Sequence, residues 1–325
     1  MTVTKAPLEE EVRQTFAREV LEGLKADQKS LPSKYFYNEK GDRLFQQIME
    51  MDEYYLTRSE YEIMKQGRER FLDIFSAKGS FQLIELGPGD GMKTKVLLEH
   101  FSKADTDFEY MPLDISGNVL DILVADVNQR YPNLKVKPLC DDYFRALDWL
   151  STHNKGRKVV LFMGGNIGNY EPGAARDFLK EVSRYLVPGD LLVIGFDLKK
   201  QPSKILAAYN DRQGITAEFN LNLLDRMNEE LGTDFDRNNF IHYPVYNPAS
   251  GACRSYLVSK EKQHVTFPGE DETIPFDAWE AIYMEVSQKY SLGQIEAMAH
   301  ELGFAVHEHM FDSQKYFVDS VWEWQ

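Results

Sequence analysis

Residues 81–93 read FQLIELGPGDGMK. The first six form a largely apolar run of strand length, and the next five place Gly87, Gly89 and Gly91 at every second position. Residues 94–101, TKVLLEHF, then carry apolar side chains at helical spacing. Strand, glycine turn and helix in that order make the setting in which a backbone loop holds a nucleotide-like ligand, because residues without a Cβ let the chain approach closely. The same glycines would also build a plain tight turn, so the loop alone does not choose.

Two spaced carboxylates add to it. Asp114 closes the run FEYMPLD, roughly 25 residues beyond the turn, where such folds place an acid on ribose hydroxyls. A third run, LKVKPL, leads into Cys140, Asp141 and Asp142, where an acidic side chain would accept a hydrogen bond from an adenine amino group. The pairing does not by itself separate a nicotinamide cofactor from S-adenosylmethionine. The loop departs from the GxGxxG dinucleotide fingerprint, however, since its third glycine arrives early and Lys93 stands nearby, and the E-x-G-x-G loop of methyltransferases matches better.

Outward from the turn, KVVLFMG and DLLVIGFD extend the series of short apolar runs, with intervals long enough for crossover helices. That alternation predicts a parallel sheet covered on both faces by helices. It stops after Asp197, at a linker-like stretch over residues 199–204. Residues 205–231 read as one or two helices, and IHYPVYN and ACRSYLVS read as strands around a Pro-Ala-Ser-Gly turn. The chain ends in a helix over residues 292–302 and two β-like segments, FAVHEHMFDS and KYFVDSVWEW, which predict an antiparallel hairpin. Before the glycine turn, helices are expected over residues 8–24, 41–51 and 59–76, the last capped by Thr57 or Ser59.

Composition sets outer bounds. With 325 residues, 43% of them hydrophobic, the chain has material for one large or two modest domains. A net charge of -15 repels phosphate backbones and anionic membrane surfaces, which argues against nucleic acid or membrane as a partner and toward a small-molecule substrate. Two cysteines, Cys140 and Cys253, suit a reducing compartment, and no apolar stretch approaches the ~20 residues of a membrane span, so a cytoplasmic monomer is expected. His307 and His309 share a strand face, but no third ligand accompanies them and no metal is expected.

Several islands together resemble one family, the histidine-specific methyltransferases that make trimethylhistidine (hercynine) on the path to ergothioneine. They are LPSKYFYNEKGDRLFQQIMEMDEYYLTRSE, ELGPGDGMKT, YMPLDIS, GGNIGNY, AAYNDRQGITAEFNLNLL and MEVSQKYS, in the family's order over nearly the whole chain. The resemblance implies an S-adenosylmethionine site lined by Gly87, Lys93, Asp114, Asp142 and Tyr143. It also implies an amino-acid site made by Tyr54, Asn169, Tyr209, Glu285 and Ser287, with Tyr54 the catalytic contact to the reacting nitrogen. The implied architecture is a Rossmann-like α/β methyltransferase domain, residues 61–199 plus 289–325. A second, α+β substrate domain would comprise residues 1–60 plus 200–288. Two positions depart from the family. Where it reads R-I-E-M before L-V-S this chain has Ala252, Cys253, Arg254 and Ser255, and Asn166 replaces a Ser or Thr before I-G-N. The first departure bears on the substrate side chain and leaves another amino acid or amine, such as tryptophan, as the alternative. An oxidoreductase using the same loop, or a non-catalytic binding domain, are the remaining readings.

Overall fold

The computed structural model describes residues 5–153 and 156–325. In chain order the elements are α1 (Lys5–Lys25), α2 (Glu39–Glu50), α3 (Leu56–Ser76), β1 (Phe81–Leu86), α4 (Thr94–Lys103), β2 (Phe108–Asp114), α5 (Gly117–Arg130), β3 (Lys135–Val136), β4 (Leu139–Cys140), α6 (Tyr143–His153) and β5 (Arg157–Phe162). There follow α7 (Pro172–Ser183), β6 (Leu191–Asp197), α8 (Pro202–Tyr209), α9 (Ile215–Leu231), β7 (Phe240–Asn247) and β8 (Ala252–Ser259). The chain closes with β9 (Gln263–Phe267), β10 (Glu272–Phe276), β11 (Ala281–Gln288), α10 (Leu292–Glu301), β12 (Phe304–Phe311) and β13 (Phe317–Trp324).

The chain divides into two units, one of Met1–Tyr54 and Gln201–Ser287, the other of Tyr55–Lys200 and Gln288–Gln325. The second unit is built on a sheet in the order β12-β13-β6-β5-β1-β2-β3, with β4 also pairing β2. Strands β3, β2, β1, β5 and β6 run parallel to their neighbours, and β13 inserts antiparallel between β6 and β12. This is the Rossmann-like sheet with an antiparallel C-terminal hairpin. Every residue of β1 and β6 is buried, as expected of inner strands covered on both faces. The core joins Ile84, Leu113, Val160 and Ile194 of the sheet to Leu147, Leu179 and Ile295 of the helices.

The first unit has its own core. Phe16 and Val20 of α1, Ile48 of α2 and Leu223 and Met227 of α9 join Leu257 and Met284 from the three-stranded sheet β11-β8-β7. Phe267 and Phe276 come from the hairpin β9-β10, which the sequence reading left unassigned.

Local chemistry moved several expected boundaries. Helix α2 begins two residues before Gly41 because the Asn38 side chain accepts the Gly41 amide at 2.8 Å. Helix α3 starts at Leu56, so Thr57 and Ser59 lie within its first turns instead of capping it. The run LKVKPL forms two short strands, divided at Pro138, whose nitrogen has no hydrogen to give a ladder. The expected linker after Asp197 is bonded structure: the Lys199 amide reaches the Tyr290 carbonyl at 2.8 Å, and Pro202 already opens α8. Among the described residues, no helix is long and apolar enough to cross a membrane.

Candidate functional site

The sheet order reverses at β1. Chain order runs outward through β2 to β3 and β4 on one side, then returns to β5 and β6 on the other, which opens a crevice beyond the carboxyl ends of β1 and β5. The glycine turn sits there, with Gly87, Gly89 and Gly91 at φ +66°, +56° and +65°. An L-residue at Gly87 would be strained by that φ and would also set a Cβ 2.6 Å from the Tyr143 hydroxyl. The turn is therefore shaped to expose backbone, and its position is pinned by the Gly87 amide donating to the Leu113 carbonyl at 2.9 Å.

Beneath the turn, Glu85 is buried and accepts hydrogen bonds from Thr94 and Tyr110. Burial pushes its carboxyl above the usual range despite those bonds. Asp114 ends β2, half-buried, with one oxygen taking the Ser116 amide at 2.9 Å. Asp142 heads α6, where its carboxylate accepts the Phe144 and Arg145 amides, each at 3.0 Å, and pairs with the Arg145 side chain. That capping role is a local use of Asp142 which the sequence reading had not foreseen. The Tyr143 phenol is pushed up to about 12, by burial first and by the Asp114 carboxylate second. Gly87, Lys93, Asp114, Asp142 and Tyr143 thus all lie in one unit, at or just beyond the carboxyl ends of β1, β2 and β4. A carboxylate beside an open glycine turn suits a ribose, and a lysine near that turn suits an anionic end group, so the residues present fit an adenosyl ligand with an amino-acid tail.

Tyr54, Tyr209, Glu285 and Ser287 belong to the other unit, while Asn169 lies in the short 3-10 turn after β5. The Tyr209 hydroxyl and Ser287 Oγ are 2.7 Å apart and buried. Tyr54 stands edge-on to the Tyr209 ring, centroids 6.3 Å apart. Sequence reasoning missed Tyr37, 45% exposed, whose phenol is held above its ordinary value by partial desolvation and then by the Glu285 carboxylate. Its ring packs at 5.6 Å on Phe45 and 5.7 Å on Phe219, making an aromatic wall near Glu285. Tyr37 sits inside the first family island, and only folding shows which of that island's many aromatics neighbours Glu285. Ser255 is buried in β8 opposite Pro244, and Arg254 lies opposite Val245.

Sequence reasoning also missed Glu60. In α3 the buried positions include Leu56, Ser59, Glu60, Ile63 and Met64, so a carboxylate occupies the apolar stripe of an amphipathic helix. That misplacement is the signal that could have found it. Its Oε1 accepts the Gly164 amide at 2.7 Å, and its Oε2 pairs with Lys93. His307 faces Glu323 at 3.8 Å and His309 faces Glu296 at 3.5 Å, and among the described residues no group of three or more potential metal ligands occurs. Both cysteines are free thiols.

A model described as histidine-specific methyltransferase, SAM-dependent, matches residues 16–324. A histidine N-alpha-methyltransferase of Mycolicibacterium smegmatis is 36% identical over 286 residues, covering 88% of each chain. One from Mycobacterium tuberculosis is 36% identical over 273 residues, covering 84% of each. Ergothioneine biosynthesis protein 1 of Schizosaccharomyces pombe is 33% identical over 239 residues, which is 71% of this chain and 31% of that one.

Proposed function

The chain belongs to the family of histidine-specific, S-adenosylmethionine-dependent methyltransferases, and from that premise we propose that it methylates the α-amino nitrogen of histidine, through to the trimethylated betaine. The observation that carries the amino-acid half of this reading is the buried Tyr209–Ser287 hydroxyl pair with Tyr54 edge-on beside it.

S-adenosylmethionine supplies an electrophilic methyl group on a sulfonium. What the protein contributes is placement. Gly87 leaves the turn open to the cofactor, Asp114 receives its ribose, and Asp142 and Tyr143 border its adenine. Tyr209 and Ser287 hold the amino-acid carboxylate through neutral donors, which aim it without adding charge. Glu285 accepts an imidazole N–H. Only a neutral amine has the lone pair that attacks, so the nitrogen must shed a proton before each transfer, and Tyr54 is the hydroxyl that contacts it and relays that proton toward water.

Mass spectrometry after incubation with methyl-labelled S-adenosylmethionine and a mixture of amino acids tests the reading. Three labelled methyls on histidine are expected, and label on another amino acid alone would refute it. Tyr54→Phe is expected to lower kcat most at acidic pH, where the amine is hardest to deprotonate. Full activity across the pH range would remove Tyr54 from this role.

A further inference from the structure

Lys93 follows the glycine turn after β1, and Gly164 follows β5, so the two stand on opposite lips of the crevice where the sheet order reverses. One side chain ties them together. Glu60, fully buried, takes the Gly164 amide on one carboxylate oxygen at 2.7 Å and the Lys93 ammonium on the other. Space for it is made by Gly195 in β6, where a Cβ would fall 2.3 Å from Glu60 Oε1. The Lys93 ammonium itself lies close to the second lip, since a Cβ on Gly164 would meet its Nζ at 3.4 Å and the Asn166 amide at the same distance.

A buried ion pair is a poor way to gain stability, because desolvating both charges costs about as much as their attraction returns. Orientation is the better account of this one. Burial by itself lowers the Lys93 pKa, but the Glu60 carboxylate outweighs it and holds the ammonium above the ordinary lysine range. Asp319, opposite Gly195 in the β13–β6 register, does not compete for it. Its oxygens are buried without a hydrogen-bond partner, and burial, followed by the Glu60 charge, pushes its carboxyl well above the usual range.

We propose that Glu60 is a positioning residue for the cofactor: it fixes the Lys93 ammonium at the edge of the crevice, where it would meet the α-carboxylate of S-adenosylmethionine, and it braces the Gly164 turn opposite. This rests on the assignment of Lys93 to the cofactor site made above. The α-carboxylate is the one anionic group that S-adenosylmethionine carries, so a single fixed cation suffices to set which way its amino-acid end lies.

Calorimetric binding of S-adenosylhomocysteine, with no amino-acid substrate present, tests this independently of which amine is methylated. Glu60→Gln is expected to weaken binding about tenfold at pH 7, the scale of one charge-assisted contact. Lys93→Met should weaken binding at least as much, and adding Glu60→Gln to it should cost nothing further. Asp319→Asn should match wild type within about twofold, since the Asp319 oxygens make no hydrogen bond to the pair. Wild-type affinity in Glu60→Gln, or losses from the two substitutions that simply add, would overturn the proposal. Should Glu60→Gln fail to fold, Glu60→Asp keeps the charge: affinity within about threefold of wild type supports the role, and a loss equal to that of Lys93→Met refutes it.

Discussion

Lys289 places its ammonium 2.6 Å from the Asp197 carboxylate, and both side chains are buried. The same carboxylate takes the Tyr55 hydroxyl at 2.9 and 3.0 Å and pairs with Lys200. Tyr55, Lys200 and Lys289 stand at or next to the three places where the chain passes from one unit to the other. Each crossing is therefore rooted, on the side of the parallel sheet, in one buried acid at the end of β6. Removing that acid takes from two buried ammonium groups the carboxylate they share. Asp197→Ala is expected to lower unfolding free energy by about 3–5 kcal/mol, read by urea denaturation. A loss below ~1 kcal/mol would show that the cluster relaxes into solvent.

Lys200 gives that cluster a pH signature. Burial lowers its pKa to about 8, against the attraction of Asp197. A base whose folded pKa lies below its unfolded value costs stability while both states are protonated, and the cost is relieved as pH rises from about 8 toward the unfolded value near 10.5. Wild type should thus gain stability relative to Lys200→Met between pH 8 and 10, by on the order of 2–3 kcal/mol. Parallel denaturation curves over that window would contradict the burial of its charge.

His242 sets an acid limit on the other unit. It lies in β7 opposite Leu257, its Nε2 is buried without a hydrogen-bond partner, and burial lowers its pKa to about 4. The unfolded chain binds a proton here between pH 6.5 and 4 while the folded chain does not, so stability falls as pH drops through that window. His242→Phe should flatten the fall by about 2 kcal/mol, measured as the difference in unfolding free energy between pH 7 and 4.5. An unchanged slope would mean that His242 stays solvated.

Gly87→Ala combines a strained φ with a Cβ 2.6 Å from the Tyr143 hydroxyl. We expect cofactor affinity to fall at least tenfold, since ~1–2 kcal/mol of left-handed strain adds to the clash. Tyr143→Phe in the same chain should recover only part of it, because the strain remains. Complete recovery would assign the whole effect to the clash.

Ser287→Ala leaves the Tyr209 hydroxyl without the partner now 2.7 Å away. Steady-state kinetics should show KM for the amino acid rising roughly 3- to 10-fold, with S-adenosylhomocysteine affinity unchanged. A shift in cofactor affinity instead would move Ser287 out of the amino-acid site.

The sequence alone determined the architecture of the parallel sheet, because buried inner strands and crossover helices leave periodicities that need no third dimension to read. FQLIEL, the glycine turn and Asp114 declare their places in chain order, as does the final hairpin. The family islands went further, nominating Tyr54, Tyr209, Glu285 and Ser287 from scattered segments. Tertiary structure alone decided which distant groups share charge and space. That Glu60 reaches Lys93 and Gly164, that Gly195 is small to admit it, and that Asp197 gathers Tyr55, Lys200 and Lys289 are facts about neighbours as far as 142 residues apart in the chain. Local pattern reports whether a side chain is buried. Only folding brings the partner that makes a buried charge tolerable, and the roles inferred for Glu60 and Asp197 come from those partners.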